Sequence, residues 1–170
     1  MNTQAFILGF LKEARKKYRP RAEVWAGRNG EIFGGFYPDG SFGVYGGGVD
    51  PGETPEEAGA REYAEEAGRK VKNLERLPIR PVRQDWHNKN VKRPEYDGSK
   101  TYLLTGDLTN KRVKATEPFT RLKDVGFHPI SEAIEAIQQK LDDQNVVRGG
   151  DWGPILRARL KALKMLQARG

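Results

Sequence analysis

The 170 residues contain no cysteine, which excludes disulfides and thiol-ligated zinc and fits a reducing compartment. No apolar run approaches the ~20 residues that a membrane-spanning helix needs. The opening stretch, MNTQAFILGFLKEARKKY, lacks the basic-then-apolar order of a signal peptide, so a cytoplasmic location and no membrane partner are expected. There is no internal repeat and no low-complexity tract. Histidine is scarce, and a lone histidine is more often a packing or surface residue than a base, so neither His87 nor His128 is assigned a catalytic role. Charge is what the chain has in quantity: 30 Lys and Arg against 23 Asp and Glu, a net +7. That balance favours anionic ligands through the summed field. Basic surfaces also serve solubility, and no familiar nucleic-acid-binding motif is present, so RNA is a secondary expectation.

A chain of this length supports one domain with a sizeable core, and no long linker interrupts it, so a single unit over residues 1–170 is expected. Phe6, Ile7, Phe10, Leu11 and Ala14 recur at helical spacing, predicting an N-terminal amphipathic helix. Strands are predicted at 21–27, 31–37 and 41–46, divided by the turn dipeptides Asn29-Gly30 and Asp39-Gly40. Residues 72–83 read as extended, with Pro78 and Pro81 confining them to an edge or a bend. A polar loop is predicted over 84–100, then strands at 101–107 and 122–128. Two helices follow, one beginning near Ser131 and marked by Ile134, Ile137 and Leu141, the other entered through Pro154 and marked by Ile155, Leu156, Leu160, Leu163 and Leu166.

The most informative stretch is Gly46 to Gly68, GGGVDPGETPEEAGAREYAEEAG. Thr54, Pro55 and Glu57 form a T-x-x-E capping box with proline at the entry, and Gly68 follows the last periodic residue. A helix over 55–67 is predicted. Glu62, Glu65 and Glu66 share one narrow arc of it, with Arg61 alongside, while Ala60, Tyr63, Ala64 and Ala67 fall on the side expected to pack on a sheet. An acidic helix face is usually just solvated. Yet like charges at these spacings oppose one another by a few tenths of a kcal/mol per pair, so three carboxylates on one arc call for a cation.

The longer pattern resembles the signature of the Nudix hydrolase family, G-x5-E-x7-R-E-U-x-E-E-x-G-U, with U a bulky aliphatic residue. Gly47, Glu53, Arg61, Glu62, Glu65, Glu66 and Gly68 match it in type and spacing. Tyr63 and Arg69 stand where aliphatic residues are usual, which puts the local packing in question rather than the chemistry. The resemblance covers the box at 46–69 and implies an α+β fold, an α/β/α sandwich around a mixed sheet, to which the terminal helices are additions. It implies magnesium, or manganese in its place, held by Glu65, Glu66 and Glu62, with Glu62 either ligand or general base. It also implies a backbone carbonyl at Gly46 completing the metal shell and Arg61 orienting Glu53. Glu53, Arg61, Glu62 and Glu65 are thus the expected catalytic set. The implied reaction is attack of water on a phosphorus of a nucleoside diphosphate linked to another group.

The family often adds a carboxylate from a later loop; Glu117 is the first candidate, ahead of Glu95 and Asp97. Substrate contacts lie outside the box, and Trp86, Arg93, Tyr96 and Tyr45 are candidates for stacking on a base or meeting phosphates. Phe33, Phe36 and Tyr37 are further aromatic candidates, although core packing is the expected fate of at least half of this group. The partner expected is a small nucleotide; an RNA 5′-end pyrophosphohydrolase is the alternative, and a non-catalytic nucleotide-binding regulator the third reading. A monomer or a homodimer is expected.

Overall fold

The computed structural model describes residues 16–86, 92–143 and 152–169. The N-terminal helix expected over Phe6 to Ala14, and His87, lie outside the described residues. Eight strands form one sheet: β1 (Tyr18–Arg28), β2 (Glu31–Phe36), β3 (Phe42–Gly43), β4 (Tyr45–Gly48), β5 (Arg69–Arg76), β6 (Val82–Asp85), β7 (Gly98–Arg112) and β8 (Lys123–Pro129). Among the described residues three helices accompany them: α1 (Pro55–Ala67), α2 (Ile130–Asp142) and α3 (Trp152–Arg169).

The main path through the sheet runs β3-β2-β1-β7-β5. β1 and β7 are parallel, from Tyr18 opposite Gly98 to Gly27 opposite Asp107, and the remaining pairs are antiparallel, so the sheet is mixed. The other edge of β1 is divided. Its end meets β2, and its start meets β4, with Arg21 opposite Gly48 and Glu23 opposite Gly46. This division delivers the glycine run to the middle of the sheet, directly before α1.

Alternation along the central strands produces two cores. Ala22, Val24, Ala26 and Leu104 face α1 and pack with its Ala58 and Tyr63. Trp25 and Leu103 face the opposite way, onto Ala133 and Ile137 of α2 and Ile155, Leu156 and Leu163 of α3. The result is the expected α/β/α sandwich around a mixed sheet.

Local chemistry explains where the elements differ from expectation. The strand expected at 41–46 is two short strands, one on β2 and one on β1. The extended stretch at 72–83 is β5 and β6, broken between Leu77 and Pro81 because proline cannot donate to a ladder. The loop expected at 84–100 is trimmed at both ends, since β6 and β7 pair through Asp85 and Gly98. The predicted strand at 101–107 is more than doubled, to 15 residues, by its parallel pairing with β1.

Candidate active site

Helix α1 has the predicted bounds, and its caps are made as the sequence implies. The Thr54 hydroxyl accepts from the Glu57 N–H, the Glu57 carboxylate accepts from the Thr54 N–H, and Gly68 closes the far end at φ +62. Its packing face is rotated from the expected one. The buried residues are Ala58, Gly59 and Tyr63, whereas Ala60, Ala64 and Ala67 are half-buried. Contact at Gly59 sets this rotation: a Cβ there would meet Leu104 Cδ1 and Val24 Cγ2 at 2.8 Å. Glu62 and Glu66, three and seven residues on, are therefore carried to the flank that overlooks the glycine strand.

The two departures from the motif meet at one residue. Tyr63 reaches the Phe33 carbonyl with its hydroxyl at 3.4 Å, and the Arg69 guanidinium lies 4.6 Å from the Phe33 ring centroid. The bulk and charge that replace two aliphatic side chains are thus both absorbed by Phe33. Tyr45 stacks on the same ring and is 3 % exposed, so it is a core residue and not the substrate contact expected. Phe33, at 5 %, is core for the same reason.

Arg61 organises the acids. Its Nε and Nη2 grip both oxygens of Glu53 at 2.8 and 3.0 Å, and Nη1 donates to Glu62 at 3.0 Å and Glu65 at 3.1 Å. The remaining Nη2 proton goes to the Gly48 carbonyl at 3.0 Å, so all the donors of the guanidinium are used. Glu53 also accepts from the Asp50 N–H at 3.0 Å. Hydrogen bonds from Arg61, then that N–H, hold the Glu53 carboxyl down at about 2. The Arg61 pKa is raised, chiefly by its hydrogen bonds to Glu53.

Glu66 is treated differently. It makes no bond to Arg61, and among the described residues the one hydrogen bond of its carboxylate is a long one, 3.4 Å, from the Gly46 N–H. Burial pushes its carboxyl up to about 7, against that N–H, and the charges of Glu62 and Glu117 add to the rise. Gly46 was expected to offer its carbonyl to a metal; the contact seen here is made by its amide. Next to it, a Cβ on Gly47 would lie 2.2 Å from the Glu62 carboxyl carbon. The absent side chain is what lets that carboxylate rest on the strand.

Glu117 is exposed, and its N–H caps the Glu65 carbonyl at 3.1 Å, placing the loop between β7 and β8 against the end of α1. Asp97 is engaged elsewhere, accepting from the Lys17 N–H at 2.9 Å, and Glu95 is exposed. Trp86 and Tyr96 are half-buried and Arg93 is exposed; the Trp86 N–H donates to Asp97 and the Tyr96 N–H to Arg93, so the turn they share is folded back onto itself. His128 is held by the Asp124 carbonyl at 2.7 Å and by Glu132 at 3.0 Å, a structural setting.

As a metal site the arrangement is partly assembled. Among the described residues no three acids stand close enough to enclose an ion, because Arg61 draws Glu62 and Glu65 to itself. The donor set nevertheless fits a hard divalent cation. Glu62, Glu65 and Glu66 each keep one carboxylate oxygen without a hydrogen bond among the described residues, and Glu66 has no positive partner within bonding distance.

Residues outside the box complete the surroundings, and among them Arg19, Arg21 and Glu23 were not singled out by the sequence. Arg19 and Arg21 stand beside the glycine strand, on the face of β1 away from α1. On that same face Glu23 takes Arg159 of α3 at 2.6 and 2.9 Å and accepts from Trp25 Nε1 at 3.0 Å. A pocket of about 550 Å³ opens there, lined by Tyr37, Asp39, Ser41, Arg121, Trp152 and Arg159 among others. It contains none of the box residues; its link to them is Tyr37, which the Glu66 charge reaches. The signal for Arg19 and Arg21 was the two-residue alternation of β1, legible only once the strand's inner and outer faces are known.

The NUDIX domain family model matches residues 15–148. Among solved structures, an ADP compounds hydrolase is 21 % identical, covering 87 % of this chain and 76 % of its own, at a TM-score of 0.52. A NUDIX hydrolase from Nitrosomonas europaea is 18 % identical over 78 % of this chain and 85 % of its own, at 0.48. A UDP-X diphosphatase is 17 % identical over 88 % and 73 %, at 0.49. No curated protein matches by sequence.

Proposed function

The chain belongs to the Nudix family, hydrolases acting on pyrophosphate bonds, and on that premise we propose that it is a magnesium-dependent pyrophosphohydrolase of a nucleoside diphosphate linked to another group. The observation that carries this is the division of labour around Arg61. One guanidinium locks Glu53 and steadies Glu62 and Glu65, while Glu66, half-buried and with no cation bonded to it among the described residues, is left to take one.

Glu62, Glu65 and Glu66 would hold magnesium or manganese through their unbonded oxygens, with Glu117 and the Gly46 carbonyl as further donors. When bound, the ion supplies charge neutralisation and acidification of water. The protein's own part is positioning. Arg61 fixes Glu53 and Glu62 at set distances, and the Gly47 cradle lets the Glu62 carboxylate rest on the glycine strand. Water attacks a phosphorus, the anhydride P–O bond breaks, and the proton of the water passes to a carboxylate of the arc. Positioning and charge supply most of the catalysis in phosphoryl transfer. The substrate is a small nucleotide derivative: a nucleoside triphosphate, a nucleotide sugar or a dinucleoside polyphosphate.

The test is metal-dependent release of a nucleoside monophosphate across those classes, with Glu65→Gln as the control variant. Turnover in Glu65→Gln is expected to be nearly lost while the melting temperature is kept; unchanged turnover would overturn the assignment.

One observation favours the RNA 5′-end reading: Arg157, Lys161 and Lys164 are exposed along one ridge of α3. It predicts salt-sensitive RNA binding and faster cleavage of an RNA 5′ diphosphate than of the free nucleotide. Equal rates would dismiss it.

A further inference from the structure

We propose that Arg19, Arg21 and Arg93 form an anion clamp across the glycine strand from the acidic arc, and that the clamp favours substrates ending in a free terminal phosphate over diphosphates esterified at both ends. The identity of the substrate class rests on the pyrophosphohydrolase reading; the clamp itself rests on geometry.

Arg19 lies directly on Gly48. A Cβ at that position would come within 2.0 Å of Arg19 Nη2 and 2.5 Å of Cζ, so the guanidinium occupies the space of the missing side chain. The carbonyl of the same glycine receives Arg61. Gly48 therefore separates the cation that organises the acids from a cation that meets none of them. Arg21 is the register partner of Gly48 on β1. Arg93, near enough for its charge to act on Arg19, stands on a turn tied to the start of that strand by a double clasp, in which the Asp97 N–H donates to the Lys17 carbonyl at 2.7 Å and the Lys17 N–H to the Asp97 carboxylate at 2.9 Å. The Tyr96 N–H closes the turn onto the Arg93 carbonyl at 3.2 Å.

Among the described residues, none of the three side chains makes a hydrogen bond or an ion pair. Arg19 is half-buried, so water does not simply replace the missing partner. Burial, then the charges of Arg93 and Arg21, push Arg19 below its ordinary value, while Asp50 and Glu62 pull the other way from outside ion-pair range. A multiply charged anion relieves all of these costs at once, and arginine is suited to phosphate by its planar fork.

Charge then selects between substrates. The box acids Glu53, Glu62, Glu65 and Glu66 outnumber Arg61 by three, a debt that divalent cations settle. The clamp's positive charges are additional to that balance and need additional negative charge. A terminal phosphate carries roughly 1.5–2 negative charges at neutral pH, against about one for a phosphate esterified on both sides. A nucleoside triphosphate supplies this surplus and a nucleotide sugar does not.

The experiment is a calorimetric titration of the full chain, in magnesium buffer, with a methylene-bridged nucleoside triphosphate and with a nucleotide sugar of the same base. Wild type is expected to bind the triphosphate analogue more tightly. Arg19→Gln and Arg93→Gln are each expected to weaken the analogue by about tenfold or more and the nucleotide sugar by less than about threefold, as loss of a charged hydrogen bond implies. Salt should narrow the wild-type preference. Equal losses for both ligands, or none for either, would overturn the clamp. If Arg19→Gln melts early, Arg93→Gln, on an exposed turn, carries the test. Turnover is measured separately: a chain that hydrolyses nothing yet keeps this binding preference removes the reaction and supports the clamp.

Discussion

At Glu66 burial and neighbouring acids act together against ionisation, lifting the carboxyl from 4.5 to about 7. At Glu53, eight residues from its partner Arg61, hydrogen bonds act the other way and bring it to about 2. The consequences for stability have opposite signs. Between 4.5 and 7 the folded protein keeps a proton on Glu66 that the unfolded chain has released, so stability falls as pH rises through that window. Between 2 and 4.5 the unfolded chain holds a proton on Glu53 that the folded protein has shed, so stability rises with pH and is lost as pH falls toward 2. In metal-free buffer the melting temperature is therefore expected to decline from pH 5 toward neutrality. Glu66→Gln should flatten that decline and raise the melting temperature at neutral pH, while lowering turnover by roughly 100-fold or more, as loss of a preorganised charge does. A variant that still declines with pH would show that Glu66 is not its source. These opposed roles could not be read from an E-x-x-E-E string, because spacing places the acids on one arc without saying which of them the arginine takes.

Helix α1 shows how one element serves both packing and chemistry, and two glycine substitutions separate the two. Gly59→Ala pushes a methyl into Leu104 and Val24 and is expected to cost roughly 1–3 kcal/mol by overpacking, read from urea denaturation. Gly47→Ala meets only the far end of the Glu62 side chain, which can swing away. It is expected to leave stability within about 1 kcal/mol while lowering kcat by roughly tenfold or more, through misplacement of a positioned group. If both variants change stability alike, the cradle at Gly47 has no catalytic meaning. The cap is a third handle: Thr54→Ala removes the acceptor for the Glu57 N–H and should cost about 1 kcal/mol. The helix bounds and caps were legible because each depends on residues within one turn. Its packing face was not, since the close contact at Gly59 depends on side chains from β1 and β7 that are distant in sequence.

On the scale of the whole molecule, the layer opposite α1 is tied to the sheet by a charge as well as by its apolar stripe. Glu23 and Arg159 pair through both carboxylate oxygens, and their side chains are 12 % and 13 % exposed. Removing one partner strands the other in the interior, so Glu23→Ala is expected to destabilise by roughly 3–5 kcal/mol. Joint replacement by Glu23→Leu and Arg159→Met should cost much less. Denaturant midpoints for the single and double variants check this, and equal losses would mean that the pair is effectively solvated. The same face carries Arg19, Arg21 and the pocket by Tyr37 and Trp152, so α3 closes the side of the sheet opposite α1.

What the sequence determined by itself is local. Residues 46 to 69 specify a capped helix, a glycine strand before it and an ordered set of acids, because hydrogen bonds within a turn and the 3.6-residue repeat act over short separations. Even Tyr63 and Arg69, which break the motif, were visible as breaks; that Phe33 answers both was not. Tertiary structure decided the rest. It placed Tyr45 in the core, turned Glu62 and Glu66 toward the strand, divided the edge of β1 between β2 and β4, and set Arg19 and Arg21 beside Gly48. Each outcome depends on which strands lie side by side. That is fixed by the burial of Trp25, Leu104 and their neighbours over the whole sheet, not by any window of the chain.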